Sequence, residues 1–546
     1  MPRSLEFLLG LVILIELALP FFKRTAGIDA SELILLIREY SKLISAGILL
    51  PRWAPDGFFG FGSPAFYFYP PVAFFLCGIV RVVTGVSDPI VLFHAASFVA
   101  TIGSFITARV LLKSLGSRGY QRNLGALIYT FAPYRIAELY SRSSITCHVG
   151  YMFLPLVWCG LVLIVRGPAA VRWKGILMLG ISFALMALTN VPLMLITSGS
   201  IVVAGVVCWK KLSWKALGSV AIAALIAVGL SAFHFSAVLG VRAQTQLKAI
   251  RGIPEYLVTH LAGNLPTAYH EGLIYGAILI AGLAYWRSRK RSGTSITAAE
   301  RTLMHLGIAF TAVMVLLETP FLSWSLWYHF LILEFTVGAE RYYIELVVFV
   351  AVLVGIARSE RMRSAARTIV WLWTFGALFP ALLVLFNIHV FSHSQALPHD
   401  PAEYLPIYTV SEDSLSQIRN REHVPPVLAS FQAGEQIRLQ RHGSTFDVFD
   451  VTTYQPLVAT FHRFYWPQWH LYANSIEIPS KPDALGEAQA LVPAGHYRLS
   501  WELEPTPMEQ AGRWVSLITI GLVMAAAGVN RIRIWRSKPL PKEPKA

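Results

Sequence analysis

The sequence predicts a polytopic α-helical membrane protein of about 12 spans, with a β-sandwich-like domain inserted before its last span. Three observations predict it. The 546 residues are 55% hydrophobic and only 14% charged, against roughly 25% charged in soluble proteins. Positive charge is segregated: Arg3 and six short basic segments hold 25 Lys and Arg against three acids, the positive-inside signature of topology. The stretch 389–511 changes character, from apolar runs to period-two alternation. The net charge of +15 therefore reports orientation, and no nucleic-acid partner is expected.

Apolar runs that reach spanning length lie near 4–22, 89–112, 123–138, 148–166, 174–188, 191–209, 216–239, 270–286, 302–318, 341–357, 366–388 and 513–530. The run 67–84 is ambiguous. Counting it as a span would place the basic segment 113–122 opposite the others, and it is short and carries Arg81. It is therefore expected to be a juxtamembrane or re-entrant helix, with both termini cytoplasmic and the basic tail 531–546 inside. Residues 1–388 form the membrane module, 23–88 its first outer loop, 389–511 the outer β domain, and 512–530 the final span. Within the β domain, Gln436 to Gln440, Leu457 to Phe461 and His496 to Trp501 alternate as strands, and Pro493-Ala494-Gly495 marks a turn. The four cysteines have no metal-ligand spacing; Cys77 and Cys147 could both face the outside, but a disulfide between them is not expected.

The first loop is the most distinctive segment. Pro51 to Asp56, Gly60 to Pro64 and Tyr67 to Pro71 are apolar and aromatic, yet their prolines and glycines forbid a regular helix. Irregular backbone at a membrane face needs partners from protein or a wet cavity, so Arg52, Trp53 and Tyr69 are expected to wall a cleft. Asp29 has two compatible readings: a carboxylate that takes a proton from a hydroxyl or lies beside a metal, and the first residue of a capping box with Glu32. The second loop gathers Tyr134, Arg135, Glu138, Tyr140, Arg142 and His148. Glu138 and Arg142 are at i, i+4, which suits a helical ion pair; equally, the arginines suit a phosphate and the carboxylate a sugar hydroxyl. Arg341 and Tyr342 read either as interfacial anchors or as site residues. Glu16 and Glu318 are acids in or near spans. His260, His270 and His329 read as surface or core residues, and Phe464 to Trp469 as a core aromatic cluster ahead of a carbohydrate-stacking surface.

On these residues the chain resembles the GT-C-fold membrane glycosyltransferases. Within that group it is similar to bacterial membrane proteins labelled 6-pyruvoyl-tetrahydropterin-synthase-related. The resemblance is carried by Gly47 with Pro51-Arg52-Trp53, Gly60-x-Gly62-x-Pro64 with Tyr69-Pro70-Pro71, Pro133-Tyr134-Arg135 with Leu139-Tyr140-x-Arg142, Tyr465-Trp466-Pro467-x-Trp469 and Pro493-Ala494-Gly495-His496. It implies sugar transfer from a polyprenyl-phosphate-sugar donor to a lipid, glycan or protein acceptor on the outer face of a bacterial inner membrane. Asp29 and Glu138 would then be the catalytic acids, with a divalent metal, Mg or Mn, as possible cofactor held by the same pair. Arg142 or Arg341 would hold the donor phosphate. Relatives tend to carry Arg-Gly-Ala-x-x-Glu where this chain reads Arg142 to His148, and His-Asn where it reads Thr189-Asn190. The alternative is a non-catalytic glycan-lipid transporter or assembly subunit; a transporter predicts broken, polar helices at midmembrane, whereas the polar groups here cluster in the loops.

Overall fold

The computed structural model describes residues 30–132, 134–135, 138–139, 144–245, 274–283, 298–318, 339–357, 362–373, 406–407 and 426–536. The expected first span at 4–22, and the residues Glu16, Asp29, Arg142, His260, His270 and His329, lie outside them.

The first loop begins with α1 (Ala30–Ser45), whose Leu33, Leu36, Ile37, Tyr40, Leu43 and Ile44 are buried at helical spacing. It packs on α3 (Val72–Thr84). Gly78 makes that approach possible, because a Cβ there would sit 2.8 Å from Ile44. The 67–84 run is interrupted: a single turn, α2 (Ala65–Phe68), stops before Pro70-Pro71, leaving α3 with 13 residues. At 1.5 Å per residue that is about 20 Å, short of a bilayer core of about 30 Å.

The helical module continues with α4 (Pro89–Ser114), α5 (Gly119–Thr130), α6 (Ile145–Arg166), α7 (Ala169–Ala187), α8 (Val191–Cys208) and α9 (Trp214–Val241). Caps fix the starts. Asp88 accepts from the Ile90 amide at 2.9 Å, Asn190 from that of Leu193 at 2.8 Å and Ser213 from that of Ala216 at 3.2 Å. Further on lie α10 (Ile274–Leu283), α11 (Ala298–Glu318), α12 (Tyr343–Ile356) and α13 (362–373). The last helix is α14 (Pro507–Arg536), which packs along α9. Among the described residues, five helices are long and apolar enough to cross a membrane: Pro89–Ser114, Ile145–Arg166, Val191–Lys211, Trp214–Gln244 and Pro507–Gly528. One expected span is shorter than its apolar run. The 123–138 run stops as helix at Thr130, because Pro133 bars the helical region to Ala132. Tyr134 and Arg135 again have α-helical backbone, and Glu138 and Leu139 π-helical backbone.

The β domain is two antiparallel sheets. One orders β1 (Val427–Leu428), β4 (Leu457–Phe464), β8 (Glu487–Val492) and β7 (Ser480–Pro482). The other orders β2 (Gln436–His442), β3 (Phe446–Thr453), β9 (Gly495–Leu503), β5 (Trp469–Ala473) and β6 (Ile476–Ile478). Inward positions alternate along β4 and β9, and Phe461 meets Trp501 edge to face across the sandwich at 5.3 Å. All four cysteines are free thiols.

The first loop docks on this sandwich. Ala54 and Ser63 exchange backbone hydrogen bonds at 2.8 and 2.9 Å, and the Gly62 amide donates to Gly57 at 2.8 Å. The Phe464 amide donates to the Phe61 carbonyl at 2.9 Å. The proline- and glycine-rich backbone is thus satisfied partly within itself and partly by β4. Gly62 is required twice over: its φ is +83°, and a Cβ would lie 2.1 Å from the Trp53 indole nitrogen.

Candidate functional site

Of the second-loop residues, Tyr134, Arg135, Glu138 and His148 are described and Tyr140 and Arg142 are not. α5 ends at Thr130 and α6 begins at Ile145; between them Tyr134, Arg135 and Glu138 are buried, as is His148 on α6. Arg135 is 1% exposed. Its guanidinium lies 5.2 Å from the ring centres of both Tyr129 and Tyr151 and donates to Ser104 Oγ at 3.1 Å. A further donation reaches the Tyr129 carbonyl at 3.5 Å. Tyr129 in turn donates to the Tyr151 carbonyl at 2.6 Å, so the two π faces that hold the guanidinium are themselves fixed.

Glu138 is 4% exposed and lies near Tyr151. His148, one turn before Tyr151 on α6, feels the Arg135 charge and stacks obliquely on Tyr151 at 6.1 Å. Tyr134 faces the Tyr343 ring at 6.0 Å, and Tyr275 faces it from α10 at 5.9 Å. Through Tyr343 the second loop therefore adjoins the 3-10 turn Ala339–Tyr342, which presents half-buried Arg341 and Tyr342. The Arg341 Nε is enclosed without a hydrogen-bond acceptor.

Two expected cleft residues turn elsewhere. Arg52 donates to both oxygens of Glu509, at 3.1 and 2.9 Å, and to the Leu503 carbonyl at 2.9 Å. Trp53, 1% exposed, packs against Trp466 at 6.0 Å and Trp469 at 5.7 Å. Both face the β domain, because a large ring and a guanidinium with an acidic partner are buried more completely there than in an open cleft. Tyr69 stays in the helical module, donating to Glu32 at 3.4 Å and meeting Phe74 at 5.8 Å. Phe464, Trp466 and Trp469 are buried, as a core cluster requires.

Sequence reasoning passed over Glu345 and undervalued Asn190. Glu345 is buried within α12 and accepts from the Trp158 indole at 2.9 Å. Its signal was present, an acid inside the 341–357 apolar run. Asn190, besides capping α8, donates to Thr146 Oγ1 at 3.0 Å and Cys147 Sγ at 3.3 Å. It therefore anchors the first turn of α6 beside His148. For a divalent metal, no three His, Cys, Asp or Glu side chains converge among the described residues.

No protein-family model matches the chain, and no curated protein matches it. Among solved structures it is similar to the arabinofuranosyltransferase AftD from Mycobacteria, seen by single-particle cryo-EM. That match has 16% identity and a TM-score of 0.42, covering 72% of this chain and 27% of that one. It is also similar to the Archaeoglobus fulgidus oligosaccharyltransferase crystallised with Zn and sulfate, at 13% identity and a TM-score of 0.35, covering 72% of this chain and 53% of that one. The chain thus spans about a quarter of the first neighbour's length and about half of the second's.

Proposed function

We propose that the protein is a membrane glycosyltransferase that moves a sugar from a polyprenyl-phosphate-linked donor to a lipid, glycan or protein acceptor at the outer face. The observation that supports this reading is the contact of Tyr134 with Tyr343, which brings the second loop, with its buried Glu138 and His148, next to the turn that carries Arg341 and Tyr342 about two hundred residues further on. Such transfer needs an acceptor hydroxyl held in place, a base to take its proton, and positive charge on the departing phosphate. Asp29 supplies the base in this reading, and Glu138 orients a sugar hydroxyl. Arg341, half-exposed and with an unmatched N–H, binds the donor phosphate in geometry suited to guanidinium. Arg135 is held by tyrosine rings, Ser104 and a carbonyl, so it contributes field and not contact.

The test is transfer by the detergent-purified protein from polyprenyl-phosphate sugars. Asp29→Asn and Glu138→Gln should each lower turnover by about 10²–10⁴-fold, and Arg341→Ala should weaken donor use. Wild-type rates in both carboxylate variants would overturn the site.

A further inference from the structure

A groove of about 430 Å³ lies among the helices of the membrane module. Its walls are apolar stripes at helical spacing, such as Val348, Val352 and Ile356 on α12 and Ile201, Gly205 and Cys208 on α8. The groove is open to its surroundings. Val202 and Leu217 on its walls are 65% and 43% exposed, and a Cβ at Gly205 would meet no atom within 4 Å. Along α12 the lining runs from Glu345 to Ile356. At 1.5 Å per residue that is about 16 Å, the depth of one leaflet in a bilayer core of about 30 Å.

The two ends differ in charge. The Ile356 end adjoins the basic segment 113–122, where Gln121 donates to the Ala357 carbonyl at 2.7 Å. Arg166, in the last turn of α6, and Lys211, between α8 and α9, line the same groove, and both are exposed. Lys211 Nζ donates to Thr302 Oγ1 on α11 at 2.6 Å. That bond holds the ammonium across the mouth and uses one of its three N–H donors. Trp209 and Trp214, 67% and 88% exposed, flank Lys211 in sequence. Exposed tryptophans of this kind belong at the headgroup level, so the basic end meets the membrane surface. The other end stops at Glu345, whose carboxyl accepts from the Trp158 indole at 2.9 Å. An acid stands there where the mouth has two cations.

We infer that the groove holds one acyl chain of an anionic phospholipid, its phosphate at Arg166 and Lys211 and its chain directed toward Glu345. Apolar walls one leaflet deep suit a single chain anchored at one surface. Two cations at headgroup level select negative charge, and guanidinium and ammonium both donate to phosphate oxygens. The site lies on the side of the basic segments, whereas the transfer proposed above takes place at the outer face. It stands or falls apart from that reaction.

The experiment is native mass spectrometry of the full-length protein in neutral detergent. The probes are palmitoyl-oleoyl phosphatidylglycerol, palmitoyl-oleoyl phosphatidylcholine, glycerol phosphate and undecaprenyl phosphate. The wild type should bind one phosphatidylglycerol saturably, about tenfold or more tighter than phosphatidylcholine. Arg166→Gln and Lys211→Gln should each reduce that preference about fivefold, the effect of one charge near a lipid surface. Gly205→Phe places a ring in the open groove and should abolish the saturable site for both phospholipids. If Gly205→Phe does not fold, the two charge variants decide the question, because their side chains are exposed. Equal affinity for the two phospholipids, a preference that survives loss of both cations, or undiminished binding by Gly205→Phe would each overturn the assignment. So would displacement of the lipid by glycerol phosphate, which marks a plain anion site, or tighter binding of undecaprenyl phosphate than of phosphatidylglycerol.

Discussion

Arg135 in the helical module and Arg463 in the β domain are both almost wholly withdrawn from water, yet they are held in opposite ways. Arg463 has a carboxylate at 2.8 Å and a tryptophan face at 3.7 Å. Arg135 rests between two tyrosine faces and donates to neutral oxygens. The first charge is cancelled where it sits, although burial pulls its pKa down and Asp447 pulls it back up. The second is not cancelled by the groups it touches, so its field falls on Tyr151 and His148. A buried guanidinium thus serves either as a brace or as a fixed source of positive potential, depending on what receives its hydrogen bonds.

Removing each arginine separates the two roles. Arg463→Leu leaves Asp447 buried with only His442 and the Gly443 amide beside it and should cost the β domain about 3–5 kcal/mol, read as a shift in its denaturant midpoint. A loss under about 1 kcal/mol would mean that the pair is dispensable to the sandwich. Arg135→Met should cost less, about 2–3 kcal/mol, the sum of a hydrogen bond from a charged group and ring stacking. Its distinguishing outcome is functional: donor affinity falls even where folding is restored by lower temperature, whereas Arg463→Leu leaves donor affinity unchanged. If both variants alter donor affinity alike, the contrast fails.

A smaller effect concerns the junction. A double-mutant cycle on Arg52 and Glu509 should return a coupling of about 1–2 kcal/mol. The pair is bidentate and mostly enclosed, but Glu509 keeps Arg513 at 2.6 Å when Arg52 is lost. The smallest effect is one of pH. Glu435 accepts backbone amides from Gln432 at 2.8 Å and Tyr454 at 2.7 Å, which hold its carboxyl below the usual range. Its folded pKa is the lower one, so its contribution is complete above the unfolded value of about 4.3. That contribution disappears as pH falls through the folded value. Glu435→Gln should be less stable than wild type at neutral pH, and the two melting curves should converge on acidification.

The helices were legible because apolar runs, caps and charge segregation all operate over short sequence distances. Asp88, Asn190 and Ser213 mark helix starts that a reader can find without coordinates. Three of the nine described strands were equally plain, as Leu457 to Phe461 alternate in sequence and in burial alike. The site was legible in its parts. The second loop was read as one cluster because its members are sequence neighbours, but its link to Arg341 passes through Tyr134 and Tyr343, and no local pattern announces that contact. Arg52 and Trp53 were assigned to a cleft because their partners, Glu509, Trp466 and Trp469, lie more than four hundred residues away. Arg463 was passed over for the opposite reason: it follows a run of alternating core residues, and only its buried surroundings show that it takes the next inward place.

The clasp between Arg52 and Glu509 joins positions 457 residues apart. Translation therefore releases the first loop long before its counterpart exists. Until the sandwich and α14 are made, the Trp53 ring and the Arg52 guanidinium have neither the aromatic neighbours nor the acid that later enclose them. Assembly at this junction is consequently a late, whole-chain event. A ribosome-stalled chain ending before Val427 should leave the Pro51–Ser63 segment open to proteases that the finished protein resists.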